Sequence, residues 1–395
     1  MLAPEPFFEP RGTPFSVYHR AQALGRLGHQ VDLVTYPIGH SISIPGVRIV
    51  RSWGPPWIKS VKIGPSLAKL PLDIALFYRA ARMLFGRRYD CIHTHEEAGL
   101  FGAILGSIFG TPHLYDMHSD LAQQLTNFQF TKNRLLLRLM GWVQAAILRS
   151  ARAVIVICPE LGDTVSRITP GKPVIVIENG AIAVAAEPRD RAALAAEAEQ
   201  LREELAIPSR APVLLYTGTF EPYQGLDALV DSVPRVLLDF PAAIFLVIGG
   251  NPAQVGRLAE RARRLGVADA VRLPGQRPTD QMAAFTLLAD VLLSPRAHGT
   301  NTPLKIYAYL HAGKPILATN IRSHTQVLTP AVAMLVDPTP ESLAEGALRL
   351  LSDPRLQQRL GREAASLAET NYGYETFLRS TSQAYAMLRL KPRPA

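Results

Sequence analysis

Cysteine is nearly absent: the 395-residue chain holds two, Cys91 and Cys158. Both fall in apolar, strand-like runs, so a disulfide framework or a cysteine zinc site has no support, and two free thiols in a reducing compartment are expected. Long apolar runs are missing as well. The longest uncharged stretch, residues 98–114, is glycine-rich, broken by Pro112 and too short for a membrane span. The opening MLAPEPFFEP has neither the basic start nor the apolar core of a secretory signal. The first strand, Leu2-Ala3-Pro4, is short, so a few native residues are expected ahead of it. No internal repeat appears, and no low-complexity tract beyond one Ala-rich stretch. Acids are the last shortage: 33 Asp and Glu face 42 Lys and Arg, a net charge of +9. What is present is a large core, with 48% hydrophobic residues. A chain of this length reads as two domains, cytoplasmic and soluble or peripheral at the inner membrane face.

The basic surplus is concentrated. Between Arg48 and Arg88 stand nine basic residues (Arg48, Arg51, Lys59, Lys62, Lys69, Arg79, Arg82, Arg87, Arg88) and one acid, Asp73. Trp53, Trp57, Ile58, Phe77, Tyr78 and Phe85 are interleaved with them. Basic residues mixed with interfacial aromatics suit an anionic membrane surface. A solvated basic face over core aromatics is the alternative. No nucleic-acid motif accompanies the segment, and nucleic acid is not expected as a partner.

Apolar runs alternate with helical spacing along the chain. Strands are expected at 31–35, 47–51, 91–94, 113–116, 154–158 and 174–177, with helices near 15–27, 70–84, 99–108, 133–149 and 160–168. Residues 183–206, rich in Ala, Glu and Arg, read as a linker and an exposed helix. Alternation restarts with strands at 213–217, 244–249, 271–273, 291–294 and 316–319, and a last helix lies near 374–388. Such alternation makes parallel sheets covered on both faces. The fold class is therefore α/β, with two Rossmann-like, doubly wound domains, 1–182 and 183–372.

In such sheets ligands sit at the C-terminal strand ends, where helix N-termini offer unpaired N–H groups. Several stretches fall there. In Arg11-Gly12-Thr13-Pro14, before the first helix, Gly12 lacks a Cβ and admits a phosphate or sugar. His93-Thr94-His95-Glu96-Glu97 and Tyr115-Asp116-Met117-His118-Ser119-Asp120 end two strands with polar groups. A histidine there can bond a sugar hydroxyl or polarise a leaving group; a helix-capping His is the alternative. The histidine spacing of HTHEE is wrong for a helical zinc motif. Residues 216–227, YTGTFEPYQGLD, form a strand, glycine turn and helix start suited to an anion.

The richest stretch is 290–320, DVLLSPRAHGTNTPLKIYAYLHAGKPILATN, read as strand, polar loop, helix, glycine stop and strand. Thr302 reads as a helix N-cap with Pro303 at the first helical position. Lys305 then lies in the first turn, where the helix dipole opposes a cation unless an anion sits nearby. A surface lysine is the bland alternative.

Together these strings resemble the retaining, GT-B-fold glycosyltransferases of family four. RGTPFSVYHRAQALGRLGHQVDLVTY is similar to that family's opening: a glycine loop, a helix, and Gly-His-x-Val before the second strand. Gly299-Thr300-Asn301-Thr302-Pro303-Leu304-Lys305-Ile306-Tyr307 resembles the PLK-type variant of its nucleotide-sugar loop. The resemblance implies two domains facing across a cleft. The first takes the acceptor, with the C-terminal helix, 373–395, packed back onto it; the second takes a nucleoside diphosphate sugar, UDP or GDP. Donor contacts are implied at Gly12, Thr13, Gly218, Thr219, Gln224, Gly225, Gly275, Gln276, Arg296, Thr300, Asn301, Thr302, Pro303, Leu304 and Tyr307. Catalytic roles are implied for His118, Asp116 and Lys305, and acceptor-side roles for His95 and Glu96. The implied reaction is sugar transfer to an acceptor hydroxyl with retention, the donor phosphate assisting deprotonation. The basic-aromatic segment points to a lipid-linked or envelope-polysaccharide acceptor. With no Asp-x-Asp near the nucleotide loops, neither a metal nor a cofactor is expected.

The chain departs from the family twice. The Arg after the first glycine and the Lys before the second, which clasp the diphosphate in relatives, are Thr219 and Gln224 here. The E-x7-E signature is missing: its places hold His298 or Thr300, and Ala308. Lys305 and Arg296 are expected to restore the positive charge. The departures leave open a partner subunit that binds nucleotide sugar without transferring it. An epimerase of the same fold is a third option.

Overall fold

The computed structural model describes residues 1–9, 12–61, 66–121, 133–178, 180 and 190–388. It divides the chain into two compact units, Met1–Ile182 with Tyr374–Ala395, and Ala183–Gly373.

In the first unit, β1 (Leu2–Ala3) leads to α1 (Gly12–Arg26), β2 (Val31–Thr35), β3 (Val47–Arg51), α2 (Leu70–Gly86) and β4 (Ile92–His95). Then come α3 (Gly99–Phe109), β5 (His113–Met117), α4 (Arg134–Ser150), β6 (Ala153–Val156), α5 (Pro159–Ile168) and β7 (Val174–Val176). Among the described residues the strands make one seven-stranded sheet in the order β3-β2-β1-β4-β5-β6-β7, all pairs parallel. Every residue of β4, β5 and β6 is buried, as a central parallel strand covered on both faces requires. The order reverses at β1, so the C-terminal ends of β1, β4 and β5 form its switch point.

The second unit runs α6 (Arg191–Glu204), β8 (Val213–Thr217), α7 (Leu226–Asp239), β9 (Ile244–Ile248), α8 (Pro252–Arg264), β10 (Val271–Gly275), α9 (Met282–Leu288) and β11 (Val291–Ser294). It continues with α10 (Leu304–Ala312), β12 (Ile316–Thr319), α11 (Arg322–Thr325), β13 (Met334–Val336), α12 (Pro340–Ser352) and α13 (Pro354–Tyr372). Its parallel sheet has the order β10-β9-β8-β11-β12-β13. Here the switch lies between β8 and β11, where Gly218 and Ser294 end. After Gly373 the chain returns to the first unit as α14 (Tyr374–Ala386), which packs on α1, β6 and β7.

Three expectations change. The first helix starts at Gly12, so Gly12 and Thr13 belong to its first turn and not to a loop; Pro14 fits there because a first-turn residue needs no amide donor. Arg11 lies outside the described residues. The Ala-rich helix is not simply exposed: α6 lies on α9 and buries Ala198 and Leu201 in the core. Helix propensity hid a thin apolar stripe in a polar sequence. Finally, β13, α12 and α13 were not expected as elements. Neither cysteine is in a disulfide. Among the described residues no helix is long and apolar enough to cross a membrane.

Candidate functional site

Polar residues gather at the switch point of each sheet. In the first unit the centre is Asp116 near the end of β5, fully buried. Arg20, from the middle of α1, donates Nε–H to its Oδ2 at 3.1 Å. His93 Nε2 stands 3.4 Å from the same oxygen and His118 Nε2 3.3 Å from Oδ1. His95 Nδ1 meets His118 Nε2 at 3.1 Å. Burial alone would raise the Asp116 carboxyl, but Arg20 and His118 beside it hold it well below its ordinary range. It is therefore a carboxylate, and Arg20 is its counter-ion. Burial pushes His93 down to about 4, so its ring is neutral; burial lowers His95 and His118 too.

The C-terminal helix α14 supplies the outer shell of this network. Thr381 Oγ1 accepts from Arg20 Nη1 at 3.0 Å, and the Tyr385 hydroxyl lies 2.6 Å from His93 Nδ1. The donor atoms of His93, His95 and Asp116 all lie within 4.8 Å of one another, a metal-like spacing. Arg20, however, already occupies the carboxylate and would repel a cation placed there. The group reads as a relay of close contacts around the Arg20–Asp116 pair that positions His118.

Glu96 closes the strand end with φ +47, a strained backbone for a residue with a side chain. Its Oε2 accepts from Ser119 Oγ at 2.9 Å, and burial, then the neighbouring Glu97, raises its carboxyl to about 7. Glu97 pairs with Lys69 at 2.9 Å. A carboxyl poised near neutrality at a strand end can exchange a proton with a hydroxylic ligand.

The second unit is built differently. Three glycines let its strand ends close up. A Cβ on Gly225 would meet Pro295 O at 2.0 Å, one on Gly249 would meet Gly218 O at 1.8 Å, and Gly218 itself sits at φ +145. Into this corner α10 sends Lys305, whose Nζ lies 3.5 Å above the centre of the Tyr216 ring. The amine is buried and has no hydrogen-bond partner among the described residues. Burial, then Arg296 nearby, holds it well below its usual range. Arg296 donates to His298 O and Asn301 O and lies over the Tyr223 ring. Two more buried atoms lack partners here, Thr302 Oγ1 and Gln224 Oε1. Buried polar atoms are normally satisfied, and an isolated buried ammonium is costly. Two basic side chains and unmet polar atoms around a glycine corner suit an anionic ligand.

The sequence models agree with this layout. "Glycosyl transferase 4-like domain" matches residues 11–180, and "Glycosyl transferases group 1" matches residues 197–367. The chain belongs to the group 1 glycosyltransferases. This glycosyltransferase is similar to the D-inositol 3-phosphate glycosyltransferase of Streptomyces avermitilis, 28% identical over 83% of this chain and 73% of the relative. That of Kribbella flavida is 25% identical over 93% and 89%. Among solved structures, sucrose-phosphate synthase from Thermosynechococcus elongatus matches with a TM-score of 0.72, 22% identity and 96% and 94% coverage. Anabaena HepE in complex with UDP matches with a TM-score of 0.73, 16% identity and 98% coverage of both chains. The fold is GT-B, two Rossmann-like domains.

Of the expected residues, the glycosyltransferase brings Asp116, His118, His95 and Glu96 together in its first unit. In the second it groups Gly218, Thr219, Gln224, Gly225, Arg296, Thr302 and Lys305. Gln224 donates to Thr219 Oγ1 at 3.4 Å, and the Thr219 carbonyl accepts from the Tyr216 hydroxyl. The Thr300 carbonyl accepts from Gln326. Gly275 ends β10 and its carbonyl accepts from Gly249 N–H, with Gln276 exposed beside it.

Three details differ from the expectation. Thr302 is not the N-cap: Pro303, in extended conformation, takes that place, the helix starts at Leu304, and no side chain caps it. Proline's fixed φ and extended ψ end the loop one residue later and free the Thr302 hydroxyl. Tyr307 points into the core against Tyr372, because its place on α10 faces the sheet. The basic run 48–88 is partly spent within the fold. Arg48 forks onto Asp32, Arg51 donates to the carbonyls of Tyr36, Ile38 and His40, and Lys69 holds Glu97. Lys62 lies outside the described residues.

Arg20, His93, Thr381 and Tyr385 were not singled out from the sequence. Arg20 had a signal: it falls on the Val17, Ala21, Leu24 stripe, where a charge must have a buried partner.

Proposed function

We propose that this glycosyltransferase moves a sugar from a nucleoside diphosphate sugar, UDP- or GDP-linked, to an acceptor hydroxyl with retention at the anomeric carbon. The observation that carries the reading is Lys305 Nζ, buried over Tyr216 with no hydrogen-bond partner among the described residues. The donor diphosphate takes that place. Lys305, Arg296, the start of α10 and the backbone at Gly218 then neutralise the charge that grows on the leaving group. This charge compensation asks no metal of the site. The donor is assigned to the second unit and the acceptor to the first. His118, fixed by Asp116, orients or polarises, while a donor phosphate oxygen takes the acceptor proton, as retention requires. Glu96 and His95 hold the acceptor. Relatives named for inositol phosphate favour a hydroxyl-rich acceptor. We assign it to a glycan or glycolipid intermediate of envelope polysaccharide synthesis at an anionic membrane face.

Thermal unfolding against UDP-, GDP-, ADP- and TDP-sugars tests the donor site, since a ligand of the native state raises Tm. One sugar nucleotide should stabilise the enzyme, and Lys305→Ala should abolish the shift. No shift with any of them would overturn the reading. Thr219 and Gln224, standing where relatives carry cations, favour a second reading: a subunit that binds the nucleotide sugar without turnover. A nucleotide shift with no transfer to any acceptor, and no effect of His118→Ala on donor hydrolysis, would select it.

A further inference from the structure

We propose that the outward faces of α2, α3 and α4 form one surface that docks on an anionic lipid bilayer. This deepens the membrane-associated part of the reading above. The crossovers β3 to β4, β4 to β5 and β5 to β6 all step the same way across the sheet, and right-handed crossovers then lay their helices on one side. The three helices do lie side by side. Phe77 meets Phe101 at 5.5 Å and Phe85 meets Phe109 at 4.8 Å between α2 and α3, and α3 packs on α4.

Their inner faces cover the sheet with Leu72, Leu76, Leu105 and Ile147. A surface helix should then be polar outside. These are not. Tyr78 and Phe85 stand out from α2, Ile104 and Ile108 from α3, and Leu139 and Trp142 from α4; Phe85 and Trp142 are each 80% exposed. An exposed apolar patch of this extent on three adjoining helices marks an interaction surface. Among the described residues of the second unit the exposed large apolar side chains are the scattered Leu238, Leu265 and Leu304.

Charge selects the occupant. The three helices carry Arg79, Arg82, Arg134, Arg138 and Arg149 against the single acid Asp73. That acid is turned inward, accepting from the Tyr36 hydroxyl at 2.5 Å. A surface that is both apolar and positive matches a bilayer with acidic headgroups, where arginines meet phosphate and aromatic and aliphatic side chains enter the interface. All three tryptophans of the chain, Trp53, Trp57 and Trp142, belong to this unit and are exposed; tryptophan prefers the membrane interface.

The test is flotation with vesicles of phosphatidylcholine alone or mixed with phosphatidylglycerol, at low and at physiological salt, read together with tryptophan emission. The full chain should float with the mixed vesicles, less at higher salt, with a blue-shifted emission. Leu139→Glu with Trp142→Glu, and separately Arg134→Glu with Arg138→Glu, should each lower vesicle partitioning at least tenfold. Both pairs are surface substitutions that should keep the nucleotide-induced Tm shift, so lost flotation with a retained shift supports the proposal. A wild-type protein that ignores mixed vesicles, or variants that float as well as it does, overturns it. So does a wild-type dimer that the apolar pair dissociates, which makes the face a contact between copies. A chain that floats but binds no nucleotide leaves the surface standing and sinks the transferase reading alone.

Discussion

The two switch points solve opposite electrostatic problems. In the first unit a buried carboxylate has its counter-ion Arg20 beside it and histidine rings packed around it, so its charge is balanced within the protein even though Asp116 Oδ1, His93 Nε2 and His95 Nε2 have no hydrogen-bond partner among the described residues. In the second a buried lysine amine faces a guanidinium and, among the described residues, has no hydrogen-bond partner, so the protein supplies it no counter-ion there. Breaking a satisfied buried pair is costly, whereas removing an unsatisfied charge is not. The first charge is balanced by the protein itself, and the second would be balanced by the anion proposed above.

The sharpest way to break this contrast is one substitution at each centre. Asp116→Ala leaves Arg20 buried and unpaired and should cost about 3–5 kcal/mol. Lys305→Met should leave the ligand-free protein as stable or more so, yet abolish stabilisation by nucleotide. Thermal unfolding with and without the sugar nucleotide reads both. Equal losses in the two variants would mean that Lys305 has a partner of its own.

Acidity separates the sites next. Burial holds the native His93 ring down at about 4, while an unfolded ring titrates near 6.5. Between those values the unfolded chain binds more protons, so stability falls as pH drops through that window. His113, held to about 3 by burial, adds to the same loss. Lys305 acts in the alkaline range. Its native amine gives up a proton more readily than the unfolded one, whose pKa is about 10.5. The ligand-free protein should therefore gain stability as pH climbs toward that value, and saturating nucleotide should flatten the gain. Unfolding curves across pH, with and without nucleotide, measure both slopes. An unchanged alkaline slope with nucleotide bound would separate the ligand from Lys305.

Much of this was legible in the sequence, for uneven reasons. Apolar alternation located most strands closely, and β2, β3, β8, β11 and β12 match the expected bounds, because a buried parallel strand is a short apolar run between turn signals. Asp116, His118 and Lys305 could be singled out because they stand at strand or helix ends, where topology puts ligands. The relay behind them was not legible. Tyr385 and Thr381 come from a helix more than 260 residues away in sequence from His93 and Asp116, and a helix pattern does not say which polar residue it presents inward. The outward apolar stripe of α4 escaped for the same reason: periodicity marks a face and not what lies against it.

Tyr385→Phe sharpens the first half of the comparison. It removes one buried hydrogen bond to His93 and should cost about 1 kcal/mol of stability. If the relay fixes His118, kcat should fall severalfold while the donor KM stays unchanged. A stability loss without a change in kcat would make Tyr385 merely structural, and Asp116 would then hold its histidine without help from α14.

The smallest effect belongs to Thr302, whose hydroxyl is buried without a partner one residue before the cap of α10. Thr302→Val keeps the shape and exchanges that hydroxyl for a methyl group. Because nothing bonds the hydroxyl in the free protein, its loss should leave Tm unchanged or slightly raised. If the diphosphate is its partner, nucleotide affinity should still drop severalfold, about 1 kcal/mol for a lost hydrogen bond. Titration calorimetry on the variant measures this directly. Unaltered affinity would confine the anion to Lys305 and Gly218 and leave the loop before α10 outside the donor site.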